Sequence, residues 1–123
     1  SPMREFLWSE DMADACVFLM ENRDFKDCYD ASEKEIRNTH INIGTGKDVS
    51  IKELALLIKD TVGLEGELYF NTDKPDGTLK KLTDTGKLQA LGWSHSVNLQ
   101  EGIQLLVNYY YEYILDDISI FSE

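Results

Sequence analysis

The chain has 123 residues, 42% hydrophobic and 28% charged, with a formal net charge of −11. That is material for one domain of ordinary globular composition. An acidic surface repels phosphate backbones and no apolar run nears the roughly 20 residues that span a bilayer, so neither nucleic acid nor membrane is an expected partner.

Ser1-Pro2-Met3-Arg4-Glu5 lacks the charged-then-apolar order of a signal peptide. Glu5-Phe6-Leu7-Trp8 is expected to be a short extended piece. Ser9-Glu10-Asp11 then starts a helix, its acids suited to the positive end of the helix dipole. Met12, Ala15, Cys16 and Leu19 recur at helical spacing and predict an amphipathic helix over residues 11–21. Cys16 in that pattern is expected to be a buried, reduced thiol. Neither Cys16 nor Cys28 has metal spacing with His40 or His95, which places the protein in the cytoplasm with no metal. Residues 22–38 are polar with few apolar anchors, an excursion expected to be partly helical.

Thr39-His40-Ile41-Asn42-Ile43-Gly44 alternates like a strand, with His40 a hydrogen-bonded structural residue on it. Gly44-Thr45-Gly46 is favoured as a strand-ending turn over a phosphate cradle: a dinucleotide fingerprint needs a third glycine where Val49 stands. Ser50 and Glu53 form a capping box for a helix that buries Ile51, Leu54, Ala55, Ile58 and Val62 and stops at Gly63. Glu67-Leu68-Tyr69-Phe70 predicts a second strand. Asp84 caps a short helix over 85–90 ended by Gly92, and Asn98 with Glu101 starts the last one, with Leu99, Ile103, Leu106, Tyr110 and Tyr113 on one face. The order is αβαβαα, an α/β mixture that is mostly helical with a few short strands.

Between the second strand and the short helix lies Lys74-Pro75-Asp76-Gly77-Thr78-Leu79-Lys80-Lys81-Leu82-Thr83-Asp84. Lys74, Lys80, Lys81 and Lys87 concentrate positive charge on an acidic chain. Pro75 fixes its own φ and Asp76-Gly77 favours a specific turn. A stiff loop holds cations for phosphate oxygens at lower entropic cost than a floppy one, so this is a candidate anion site. Its plain alternative is a solvated loop. Arg4 alone is a surface arginine, although a guanidinium fork suits a diphosphate. Trp8 and Trp93 are expected to be packing residues. Catalytic machinery is absent from the sequence: there is no Gly-x-Ser-x-Gly, no His-Glu-x-x-His and no P-loop, and no tyrosine has a lysine four residues on.

Several of these segments together resemble one family. Arg4-Glu5-Phe6 followed by Asp11-Met12-Ala13 resembles the Arg-Glu-Phe-x-x-x-x-Asp-Met-Ala stretch of extended short-chain dehydrogenase/reductases. His40-Ile41-Asn42-Ile43-Gly44-Thr45-Gly46 with Ser50-Ile51-Lys52-Glu53-Leu54-Ala55 looks like their C-terminal strand and helix. Lys74-Pro75-Asp76-Gly77-Thr78, Lys81-Leu82-x-Asp84 and Leu91-Gly92-Trp93 are similar to the GDP-L-fucose synthase branch.

That resemblance implies that residues 1–123 are a C-terminal, substrate-binding domain with a variable excursion at 22–38. The family converts GDP-4-keto-6-deoxy-D-mannose to GDP-L-fucose by 3,5-epimerisation and 4-reduction with NADPH. Its NADP(H) and its Ser-Tyr-Lys, Cys and His residues belong to an N-terminal Rossmann domain absent from this chain, so the chain alone is expected to be inactive and to hold no cofactor. Carried over residue by residue, Arg4, Lys81 and Asp76 are the expected GDP-sugar contacts. Lys80 stands where the family often has arginine, and Trp8 where it often has histidine or tyrosine. A homodimer is implied for the full-length enzyme. Self-association is expected of the chain alone, through helix faces left bare. The alternatives are the same domain from a UDP- or dTDP-sugar epimerase or dehydratase, and an acidic interaction module without a ligand.

Overall fold

β1 (Met3–Glu5) is the middle strand of a small sheet in the computed structural model, which describes residues 1–115. β2 (Asp48–Ser50) pairs with it antiparallel, Arg4 opposite Val49. β3 (Lys80–Lys81) pairs on its other edge in parallel, Arg4 opposite Lys81. Helices α1 (Ser9–Asn22), α2 (Ile51–Val62), α3 (Gly86–Ala90) and α4 (Leu99–Tyr109) supply most of the ordered backbone. The excursion contains a 3-10 turn, Phe25–Cys28, and α4 runs on into a π turn, Tyr110–Ile114.

The strands are not where alternation placed them. Residues 39–44 and 67–70 form no strand, and His40 lies on unpaired chain. Ile41 and Ile43 still point inward against the core while His40 and Asn42 are exposed, so the alternation is present without a ladder. A strand is fixed by the neighbour that takes its N–H and C=O groups, and β1 takes Asp48–Ser50 and Lys80–Lys81 instead.

Helix ends follow the expected chemistry. Ser50 Oγ accepts from Glu53 N–H at 3.1 Å, and Glu53 Oε2 accepts from Ser50 N–H at 3.0 Å. Gly63 closes α2 at φ +70°, a conformation that costs a residue with a Cβ. Asn98 Oδ1 accepts from Glu101 N–H at 2.9 Å. Asp84 accepts from Gly86 N–H at 2.9 Å, so the cap of α3 is one residue later than predicted, with Thr85 at the helix boundary.

The core is small. Ala15, Leu88 and Trp93 are buried together, with Leu7, Phe18, Leu19, Ile41 and Ile43 against them. On α1 the buried stripe is Asp11 and Ala15, flanked by half-buried Phe18 and Leu19; Cys16 and Met12 are one step off it and exposed. The expectation of a buried Cys16 therefore fails, because one residue on a helix is a rotation of about 100°. Leu106, Tyr110 and Tyr113 share a side of the last helical segment as predicted, but all three are exposed.

Asp11 is the unusual core residue. Its side chain is buried and its Oδ2 accepts from Ser96 N–H at 3.1 Å and Val97 N–H at 2.9 Å. A carboxylate out of water needs such partners, and the two amides need it. Asp14, one helical step on, accepts from Trp93 Nε1 at 2.8 Å. Asp11→Ala is expected to destabilise the chain by about 1–2 kcal/mol, through two partly buried amides left without their acceptor. Asp11→Asn keeps an acceptor and loses less. Urea unfolding midpoints of the two variants check this.

The Glu53 carboxyl is held below its usual range by the Ser50 hydroxyl first and the Ser50 N–H second. A depressed carboxyl stabilises the fold when ionised. Its contribution is present above the ordinary carboxylate range and is lost as pH falls through the depressed value. In Ser50→Ala the Glu53 titration, followed by NMR, is expected to move up towards the ordinary range.

Candidate functional site

Strand pleating sorts the side chains of the sheet. Directly paired residues share a face and neighbours along a strand alternate. Arg4, Val49 and Lys81 therefore lie on one face; Met3, Glu5, Asp48, Ser50 and Lys80 lie on the other. The adjacent lysines of β3 are thus separated by the pleat, and Lys81 is the one placed beside Arg4.

Arg4 is half-buried and tied at one end. Its Nη1 donates to the Met3 carbonyl and to the Thr78 carbonyl, each at 2.7 Å. Met3 N–H donates to Leu79 O at 2.7 Å, so main chain and side chain together hold residues 78–81 along β1. A guanidinium has five N–H donors. The two on Nη1 are engaged, and the Nε–Nη2 edge has no hydrogen-bond partner among the described residues. Lys81 is exposed and also makes no ion pair there. Asp76 is exposed; the turn expected at Asp76-Gly77 is not formed, the turn lying earlier at 72–73, and a Cβ at Gly77 would touch Arg4 Nη2.

On the opposite face Glu5 and Asp48 are directly paired across the strands, two like charges at close range. Glu5 is satisfied by the Gly46 N–H at 2.8 Å, and a side chain at Gly44 would collide with its carboxylate. This is the reason for the Gly-Thr-Gly sequence: the turn wraps a carboxylate of its own chain, as a turn rather than a phosphate cradle. Asp48 Oδ2 is buried without a hydrogen bond, and Lys80 Nζ lies 3.6 Å away, a charge contact too long to be a hydrogen bond. Lys80 is occupied with this sheet face. Lys87 is occupied too: its Nζ donates to the carbonyls of Asn38 and His40.

A concavity of about 750 Å³ lies between the excursion and α3, away from the Arg4–Lys81 face. Asp27, Asp30, Glu33 and Asp84 line it against Arg37 and Lys87, an excess of negative charge that disfavours an anion. The Arg4–Lys81 face, by contrast, brings together two cations that make no ion pair among the described residues. Sequence reading missed three of its parts: the Thr78 carbonyl that anchors Arg4, the pairing of Lys80–Lys81 with β1, and the Glu5–Gly46 contact behind it. Lysine pairs carry little strand propensity, so no sequence signal marked β3.

No protein-family model matches the chain. GDP-L-fucose synthase 1 of Arabidopsis thaliana is 46% identical over 110 residues, covering 89% of this chain and 30% of that protein. GDP-L-fucose synthase of Escherichia coli K12 is 41% identical over 117 residues, covering 91% and 34%. Over most of its length the chain is similar to GDP-L-fucose synthases. It spans about a third of the length of these relatives. Among solved structures, a GDP-6-OMe-4-keto-L-xylo-heptose reductase of Campylobacter jejuni superposes with a TM-score of 0.83 at 47% identity, over 90% of this chain and 31% of that one. A GDP-D-glycero-L-gluco-heptose synthase of the same organism, solved in the presence of NADPH, gives 0.80 at 45%, over 90% and 31%.

The split of β3 by the pleat has a measurable consequence. Lys80→Met leaves Asp48 beside Glu5 without a counter-charge. It is expected to cost roughly 0.5–1 kcal/mol, kept small because the lysine is largely exposed. Lys81→Met, on the other face, leaves the urea midpoint unchanged.

Proposed function

We propose that this chain is the C-terminal, GDP-sugar-binding portion of a GDP-L-fucose synthase, an extended short-chain dehydrogenase/reductase. The reading rests on Arg4 and Lys81 paired across β1 and β3 on one face, with the Nε–Nη2 edge of Arg4 unengaged. Similarity to GDP-L-fucose synthases over about nine tenths of the chain supports it.

In this reading Arg4 offers a planar fork and Lys81 a point charge to the diphosphate, while Asp76 accepts hydrogen bonds from another polar part of the substrate. Lys80, facing Asp48, is at most a remote contributor. Binding energy collected on the diphosphate, far from the reacting sugar carbons, holds the sugar in place for epimerisation at C3 and C5 and reduction at C4. The Rossmann domain of the full-length enzyme would bind NADP(H) and carry the Ser-Tyr-Lys residues and the epimerising Cys and His. Cys16, Cys28, His40 and His95 of this chain have no part in that chemistry. The full-length enzyme is a homodimer in this reading, and works in the cytoplasm.

A second reading keeps the GDP and changes the sugar. The solved relatives named above are GDP-heptose enzymes at 45–47% identity, as high as the fucose synthases. The Arg4–Lys81 face recognises the diphosphate common to both. A panel of GDP-4-keto-6-deoxy-D-mannose, a GDP-4-keto-heptose and the UDP and dTDP analogues, given to the full-length enzyme with NADPH, separates these readings.

In the full-length enzyme Lys81→Ala is expected to raise the KM for the GDP-sugar roughly tenfold with a smaller fall in kcat, since a remote charge contact serves ground state and transition state alike. An unchanged KM counts against the assignment. The chain alone oxidises no NADPH with the keto-sugar nucleotide; turnover by it would refute the division of labour. Exposed Leu106, Tyr109, Tyr110 and Tyr113 also support self-association of the chain alone, which light scattering would detect as a concentration-dependent mass.

A further inference from the structure

The segment that carries Asp76 contains a glycine whose backbone does not explain it. Glycine is often placed where the chain needs positive φ, which it reaches without cost. In this chain the glycines at positive φ are Gly46, Gly63 and Gly92, and Gly77 is not among them. Its backbone conformation is open to alanine. An alanine methyl there would rest in van der Waals contact with Arg4. A Cβ at position 77 would lie 3.4 Å from Arg4 Nη2, the one atom it would meet. That nitrogen belongs to the unengaged edge of the guanidinium, while Nη1 is fixed by the Met3 and Thr78 carbonyls. With Nη1 held by the Met3 and Thr78 carbonyls, a new methyl group would stay against Nη2.

We propose that Gly77 is a positioning residue whose missing side chain keeps the Nε–Nη2 edge of Arg4 open to two oxygens of a diphosphate. This rests on the reading of Arg4 as a contact of the GDP-sugar. A methyl group against Nη2 takes the volume that an approaching phosphate oxygen needs, so the fork is reduced to a single donor. Gly77 is exposed and free of backbone strain, so the substitution acts on the fork and leaves the fold intact.

The test is a double-mutant cycle in the full-length enzyme, with Gly77→Ala, Arg4→Lys and the two combined. KM for the GDP-sugar and the Kd of GDP by calorimetry are read for each. Gly77→Ala is expected to raise both roughly fivefold to tenfold with kcat within about twofold of the parent and the melting temperature unchanged. Because Gly77 acts through the Arg4 fork, adding Gly77→Ala to Arg4→Lys should bring little further loss: lysine has no fork to obstruct. If Arg4→Lys weakens binding and Gly77→Ala does not, the role of Gly77 is overturned and that of Arg4 stands. If the two losses multiply in the combined variant, Gly77 does not work through Arg4 and the proposal fails. If Arg4→Lys itself binds GDP as the parent does, the reading of Arg4 fails and this one with it.

Discussion

Three residues, Met3-Arg4-Glu5, order the sheet of this molecule, because they form the strand that both other strands pair with. A strand pleats with a period of two, so Arg4 is separated from its neighbours on either side. That separation decides which of two adjacent lysines stands near the arginine and which stands near a carboxylate pair. It also lets opposite charges coexist within one small sheet: Arg4 and Lys81 on one face, Glu5 and Asp48 on the other, with Lys80 beside the carboxylates. A register slip of one residue would set Lys80 beside Arg4 and leave Asp48 without its cation. The Glu5–Gly46 bond and the Arg4–Thr78 bond resist that slip from opposite edges.

The sheet is too short to stand alone, and the small core beside it is held by polar bonds as much as by apolar contact. α1 reaches across the molecule with two carboxylates. Asp11 binds the main chain entering α4 and Asp14 binds the indole of Trp93, which packs on Ala15 and Leu88. These bonds span 79 to 86 residues of sequence. Burying a carboxylate is costly, and Asp11 persists here because two main-chain donors meet it, while Asp14 bonds from an exposed position. Such contacts specify one arrangement of α1 against α4, where apolar packing alone would permit sliding.

Local chemistry was legible in the sequence and long-range pairing was not. The Ser50–Glu53 box, the Gly63 stop and the Asn98 cap are written in adjacent residues and occur where their chemistry requires. Ile41 and Ile43 face inward as alternation predicts, yet no strand forms there, because a ladder depends on which distant segment arrives first at the edge of β1. Lys80–Lys81 is the converse: poor strand formers that pair because Arg4 and Met3 seize the residues before them. Cys16 shows the narrow margin of a helical stripe read from a few apolar residues, since polar Asp11 holds the buried place that the stripe would have given to its neighbours. Of the candidate site, the residue types were visible from the start, but their grouping was hidden. Nothing in Lys80-Lys81 tells one lysine from the other until the register is known.

The resulting site explains why an arginine, rather than a lysine, stands at position 4. One end of the side chain has to hold a loop to a strand while the other stays available. A lysine ammonium places all three donors at a single point, so any bond to Thr78 would draw the charge away from a ligand. The guanidinium separates its donors in a rigid plane: Nη1 spends both of its hydrogens on main-chain carbonyls, and Nε with Nη2 keeps a parallel pair without a partner among the described residues. The same bonds that brace residues 78–81 also fix the angle of that pair, so the loop and the fork are ordered in one step, and an anion bound as proposed would have less entropy left to remove.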